Sequence, residues 1–343
     1  MNSAKRVYIF LILTTIVIIL IYAQGIIIPF TLALLFWVMI RVIKKQLSKI
    51  RFISKWPKWL ITVISTALML GFLLLIGELV SENIQQLSKT FPTYESNVNK
   101  ITKLINDQFN IEISSILNDL AKDINFGGIL SKLFSTLTGL IGDAFLVFIY
   151  LIFLLIEEPI FPGKLKAMYP DEQRYKRMKT LINKIDHSII NYMAVKTLTS
   201  FLTGFLSYFV IMIIGVDAPL FWAFLIFILN YIPTIGSLTA TIFPTIFAML
   251  QFGEITPALL VLAIVGAIQL IIGNFVEPRL MGTSLNISPL VVILTLSLWG
   301  LIWGVTGMLL SVPITVIIII IMSEFPSTRP IAILLSQRGK LNK

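Results

Sequence analysis

The sequence predicts an all-α, polytopic integral membrane protein of about eight transmembrane helices, and three observations carry that prediction. Of 343 residues, 57% are hydrophobic and only 13% are charged, where a soluble domain carries about 25% charged residues. Several apolar runs reach the ~20 residues a helix needs to cross a bilayer. The net charge of +10 is unevenly placed. Residues 1–58 hold Lys5, Arg6, Arg41, Lys44, Lys45, Lys49, Arg51, Lys55 and Lys58 and no acid. Basic clusters beside apolar runs are what the positive-inside bias places in the cytoplasm. The charge therefore reads as topology, with anionic membrane lipid as a secondary partner and no nucleic acid. There is no Cys and one His, His187. Thiolate chemistry, disulfides and Cys- or His-rich metal sites are left without ligands.

Each element follows in order. Residues 7–23 form a first span behind Lys5-Arg6. The apolar core of a cleaved signal peptide is shorter and ends in a small-residue site, so the span is read as retained, with its N-terminus inside. A short turn at Gln24-Gly25 leads into a second span, about 26–43, with Pro29 near its start, where a missing N–H does little harm. The basic loop 41–58 is cytoplasmic. Trp56 and Trp59 suit an interfacial belt before a third span, about 59–80. Residues 1–80 thus hold three transmembrane helices.

Residues 81–138 are polar, and Ile84, Leu87, Phe91, Tyr94, Val98, Ile101 and Ile105 recur at spacings of three and four. That is a helical face with a heptad-like seam, kinked at Pro92. A small extracytoplasmic helical domain is predicted. Its seam packs either on the protein itself or between subunits of a homo-oligomer.

A fourth span, within 139–158, ends at Glu157-Glu158-Pro159. Residues 159–196 are predicted as a cytoplasmic amphipathic helix. Tyr175, Met178, Leu181, Ile182, Ile185, Ile189, Tyr192 and Met193 share one stripe, opposite Lys176, Arg177, Lys179 and Lys184. His187 on this helix reads as a solvated or capping side chain. A C-terminal transmembrane core, 197–322, begins with a fifth span, about 197–215. Two apolar regions in it, 220–250 and 288–322, are too long for a straight span and broken by Pro and Gly. Each is either one broken crossing or a re-entrant hairpin. A further span, 256–275, separates them. The tail, 323–343, is basic and cytoplasmic. Counting each broken region as one crossing gives eight spans, both termini inside, and Glu277 and Arg279 toward the outside.

Two constellations stand out in that core. Asn230-Tyr-Ile-Pro233-Thr234-Ile-Gly236-Ser237 combines a proline that frees an upstream carbonyl with side chains that donate and accept hydrogen bonds. Unwound turns of this kind line the substrate path of many secondary transporters; a simple helix kink is the plainer reading. Gly273-Asn274-Phe-Val-Glu277-Pro278-Arg279-Leu-Met-Gly282 sets an acid and a base among apolar runs, and charges at membrane depth are costly enough to imply function. Glu277 and Arg279 are two residues apart, so they do not face each other on a helix, and Pro278 predicts a backbone break. Glu277 is expected to meet the Asn230–Ser237 turn or a cation, and Arg279 a helix C-terminus or an acid. An ordinary charged interfacial loop weighs equally. Gly300-x-x-x-Gly304, with Gly307 and Pro313, is read as helix packing. No phosphate loop, Gly-x-Ser-x-Gly elbow or His-Glu-x-x-His pair occurs, so neither nucleotide-driven transport nor an enzyme is supported, and no metal or cofactor is called for.

At these residues the chain resembles the autoinducer-2 exporter (AI-2E) family of bacterial permeases. The resemblance rests on Ile-Pro29-Phe-Thr-Leu-Ala, Leu229–Ser237, Gly273–Gly282 and Trp299-Gly300 through Gly307–Pro313, and it covers essentially the whole chain. It implies an oligomeric inner-membrane permease for autoinducer-2, a small polyhydroxylated quorum-sensing molecule. Some relatives are assigned monovalent cation/proton antiport, so sodium or lithium efflux is a second expectation, with Glu277 the first candidate carboxylate and Glu254 and Asp143 weaker ones. A structural or sensory role built on residues 81–138 is a third, and it leaves the broken helices without a purpose.

Overall fold

The computed structural model describes residues 3–75, 77–79, 82–83, 97, 144–282, 286–337 and 339. The helical domain expected over 81–138, its seam and Asp143 lie outside the described residues, apart from Glu82, Asn83 and Asn97. Among the described residues the chain is helical, with one isolated bridge between Ile287 and Ser336. The helices are α1 Ser3–Tyr22, α2 Gln24–Leu47, α3 Lys58–Leu79, α4 Ala144–Glu157, α5 Phe161–Met168, α6 Glu172–Ile214, α7 Pro219–Leu229, α8 Ile235–Phe252, α9 Ile255–Ile271, α10 Glu277–Met281, α11 Pro289–Glu324 and α12 Arg329–Leu335.

Six described helices are long and apolar enough to cross a membrane, or seven if the bent α4–α5 pair is one span. Around an apolar core, their outer surface is largely apolar and several polar side chains are buried. Leu74, Phe145, Phe153, Ile213, Leu270 and Leu301 are exposed, while Lys196, Thr199, Ser200, Thr203 and Ser207 are buried. Hydrocarbon stabilises that arrangement, because apolar side chains lose nothing by facing it and polar ones must find partners inside. The chain is a multi-pass membrane protein.

The expected cytoplasmic helix and the fifth span form one 43-residue helix, α6. No Gly or Pro falls between Lys176 and Phe201, so nothing in the covalent chain ends it at the predicted boundary.

Contacts divide the chain into two units. In the first (Met1–Ser65, Asp143–Ala194 and Thr283–Lys343), α2 packs on α4, with the rings of Phe30 and Tyr150 5.6 Å apart. At the basic end of α2, Arg41 Nη2 donates to Asp186 Oδ2 at 2.9 Å, and Trp37 Nε1 donates to Glu158 Oε2 at 3.0 Å. Part of the basic cluster that reads as topology is thus neutralised by Glu158 and Asp186. α4 and α5 meet at a 66° bend, at the Glu157-Glu158-Pro159 sequence.

The broken region 288–322 turns back on itself. Trp303 (φ −128°) and Gly304 (φ 61°, ψ −141°) leave helical geometry. A Cβ on Gly307 would lie 1.9 Å from the Trp299 carbonyl oxygen, although eight residues of straight helix span ~12 Å. The feet of this reversal are tied: Ser288 N donates to the Leu335 carbonyl at 3.0 Å and Gln337 N to that of Asn286 at 3.2 Å. Trp303 Nε1 also anchors the tip to the Leu20 carbonyl at 3.0 Å. Gly304 serves the reversal with its positive φ, while Gly300, facing Met308, and Gly307, against the Trp299 carbonyl, lie where the two limbs approach closely. Pro313 is buried within the returning limb.

The second unit (Thr66–Gly142 and Val195–Gly282) holds the second half of α6, the α7–α8 pair and α9–α10. α7, at 11 residues, spans ~16 Å, too short to cross. It reverses through residues 230–234 and packs against α8, with the rings of Trp222 and Phe247 5.0 Å apart. At the feet, Gln251 Nε2 donates to the Gly215 carbonyl at 2.9 Å, and Asp217 N donates to Gln251 Oε1 at 2.7 Å. Region 220–250 is thus also a helical hairpin. Glu277 lies beside Lys196, at the start of the part of α6 that belongs to this unit.

Candidate polar path along α6

The site begins with the buried face of α6. Lys196, Thr199, Ser200, Thr203 and Ser207 recur every three or four residues, so they share one face, and all are buried. Gly204 lies on the same face. A Cβ there would meet the Ala223 carbonyl oxygen at 2.8 Å, so α7 approaches this face at backbone distance. The hydroxyls of Thr199 and Thr203 bond back to the carbonyls of Lys196 (3.2 Å) and Thr199 (2.8 Å). That back-bonding lets Ser and Thr sit inside a membrane helix at little cost.

Lys196 carries the only charge on this face, and Glu277 neutralises it. Its Nζ donates to Oε1 and Oε2 at 2.7 and 2.9 Å, and the two side chains are 6% and 17% exposed. Thr199 Oγ1 lies 3.4 Å from Oε2. The chain around Pro278 positions Glu277. Pro278 cannot donate to the carbonyl of Asn274, and its ring crowds that carbonyl. The helix answers by widening into a π turn over Ile272–Val276, a form that recurs at functional sites. The backbone break expected at Pro278 is thus a widened turn inside a continuous span, Ile255–Met281. The helix ends at Gly282 (φ 56°, ψ −127°), whose N–H caps Pro278.

The other sequence constellation reaches the same face. Asn230 closes α7 and is buried; its Nδ2 donates to Ser200 Oγ at 3.2 Å. Tyr231 OH bonds Thr197 Oγ1 at 2.8 Å. Pro233 and Thr234 (φ 60°, ψ −62°) turn the chain. Gly236 is buried at the turn, where a Cβ would lie 1.8 Å from the Leu229 carbonyl oxygen. Ser237 Oγ bonds the Thr234 carbonyl at 2.9 Å.

Both motifs therefore contribute to the polar face, Asn230 and Glu277 directly and Gly236 by permitting the turn. Glu277 meets the Lys196 ammonium and not the Asn230–Ser237 turn, one of the two partners expected for it beside a cation. Asn274, Pro278, Arg279 and Gly282 are exposed, Thr234 is exposed at the hairpin tip, and Ser237 is half-buried. The sequence reading missed Lys196, Thr199, Ser200, Thr203, Ser207 and Tyr231. The signal that could have found them is the run Lys196-Thr-Leu-Thr-Ser200-Phe-Leu-Thr203-Gly-Phe-Leu-Ser207, in which polar residues repeat with helical period inside an apolar span.

This arrangement holds neutral hydrogen-bonding groups along a buried face, closed at one end by a compensated ion pair. Comparison with known proteins supplies the family. The model of the AI-2E family transporters matches residues 8–327. The AI-2 transport protein TqsA of Escherichia coli is 33% identical over 326 residues, 93% of this chain and 92% of its own length. A relative from Haemophilus influenzae is 30% identical, over 91% of this chain and 90% of its own, and one from Borreliella burgdorferi 32%, over 79% and 74%; both are named for transport without a substrate. By that match over residues 8–327 and the 33% identity to TqsA, the chain belongs to the AI-2E family of transporters.

Proposed function

We propose that this chain is a secondary permease of the bacterial inner membrane, that it exports a small, neutral, hydroxylated solute, and that this solute is autoinducer-2. The polar face of α6 carries the reading. Thr199, Ser200, Thr203, Ser207 and Asn230 offer neutral donors and acceptors at membrane depth, which can replace water around a polyhydroxylated molecule. The ion pair adds no net charge to the path. The likeness to TqsA over 93% of the chain supports the same substrate. Cation/proton antiport is the weaker reading, because both oxygens of Glu277 are engaged by the Lys196 ammonium and a cation would have to displace it.

Deleting the gene from a producing strain is expected to raise intracellular autoinducer-2 several-fold and lower the extracellular pool, with re-expression restoring both. An unchanged partition between cell and medium, with the protein present in the membrane of the parent strain, would overturn the proposal.

A further inference from the structure

Two buried polar atoms in the second unit have no hydrogen-bond partner among the described residues: Ser207 Oγ on α6 and Gln269 Nε2 on α9. Ser207 is fully buried and Gln269 is 8% exposed. An amide donor left unpaired away from water is costly, and other hydroxyls in this region close their bonds locally, Thr203 onto the Thr199 carbonyl and Thr241 onto that of Ser237.

Helix register places the two groups at one level. Ser207 lies four residues before Ile211, and Gln269 four after Val265, so each shares a face with that residue, one turn away. Ile211 and Val265 belong to one apolar cluster, with Phe221, Trp222 and Phe247. In both helices the step from the cluster to the polar side chain runs toward Lys196 and Glu277. Ser207 and Gln269 therefore border the same edge of that core, with the ion pair beyond them. α8 adds Thr241, 6% exposed, whose methyl lies 3.9 Å from a Cβ built on Gly266, one turn from Gln269.

We infer that Ser207 and Gln269 form a binding site for the hydroxyl groups of a neutral polyol, set between the apolar core and the Lys196–Glu277 pair. The Gln269 amide donates, and the Ser207 hydroxyl donates or accepts as the solute requires. The site selects against ions. Lys196 and Glu277 neutralise each other, so a charged solute would lie at this depth without a counter-charge. That the polyol is cargo rests on the export reading; that the site binds it does not.

The test uses the purified full-length protein, its thermal stability measured against increasing ribitol and, separately, autoinducer-2. Both probes should stabilise the wild type saturably. Ser207→Ala and Gln269→Leu should each raise the half-maximal concentration on the order of tenfold, the effect of one lost hydrogen bond. Ser207→Ala removes a single oxygen and serves if Gln269→Leu fails to fold. Stabilisation of the wild type by neither probe would overturn the inference. So would variants that gain stability without ligand and keep the wild-type response, since the two groups would then be merely unpaired. Weakened binding in the variants, together with an unchanged autoinducer-2 partition in cells, would leave the site standing and remove the export reading.

Discussion

Lys196→Met is expected to be the most damaging single substitution in the second unit. It leaves the Glu277 carboxylate, 17% exposed, without the ammonium that holds both its oxygens. Removing one partner of a buried pair costs about 3–5 kcal/mol, because the remaining charge is uncompensated. Glu277→Gln keeps an amide oxygen that can accept from Lys196 but leaves that ammonium, 6% exposed, uncompensated, so it should lose stability too. The double variant Lys196→Met with Glu277→Leu removes both charges and should recover most of the lost stability, because a well-packed apolar pair often matches a buried ion pair. Transport should not recover with it, which separates the structural from the functional role. Thermal unfolding of the three variants in detergent, beside an export assay, measures both. Equal stability of Lys196→Met and the wild type would mean that the pair does not hold the site.

Gly236→Ala is the second large effect. The added Cβ would sit 1.8 Å from the Leu229 carbonyl oxygen and 2.8 Å from its carbon. Both are backbone atoms, so no side-chain rotation relieves the contact and the turn over residues 230–234 must open. Overpacking costs typically 1–3 kcal/mol, and a rigid backbone contact places this variant at about the upper end. Opening the turn also shifts Asn230 away from Ser200, 3.2 Å from its amide, so export should fall along with stability. Gly273→Ala is the control, because nothing lies within 4 Å of its Cβ position. A Gly236→Ala protein as stable as Gly273→Ala would contradict the hairpin turn.

Local pattern carried much of this protein. Long apolar runs announced the spans, and Pro233 and Glu277 marked two stretches that the fold brings to α6. What local pattern could not supply was the partner of each. Lys196 closes a basic segment and reads as one more cytoplasmic charge; only an 81-residue contact reveals its role. Ser and Thr in an apolar span look innocuous because each can satisfy itself on its own helix. The choice between crossing and hairpin for 220–250 rests on Gln251 reaching Gly215 and Asp217, which periodicity does not encode. Gly300, Gly304 and Gly307 have the spacing of a helix seam, but periodicity does not show that the non-helical Trp303 and Gly304 make the two closely approaching limbs parts of one reversal.

If the buried face of α6 lines the solute route, side chains on it are open to water-borne reagents. The chain has no cysteine, so single cysteines can be read without background. Thr203→Cys and Ser207→Cys on the polar face, and Leu206→Cys and Phe209→Cys on the exposed apolar face, are to be treated in membranes with a small water-soluble thiol reagent. The prediction is that positions 203 and 207 react, that autoinducer-2 slows their reaction, and that 206 and 209 stay unlabelled. Labelling at 206 and 209 with none at 203 and 207 would contradict the account.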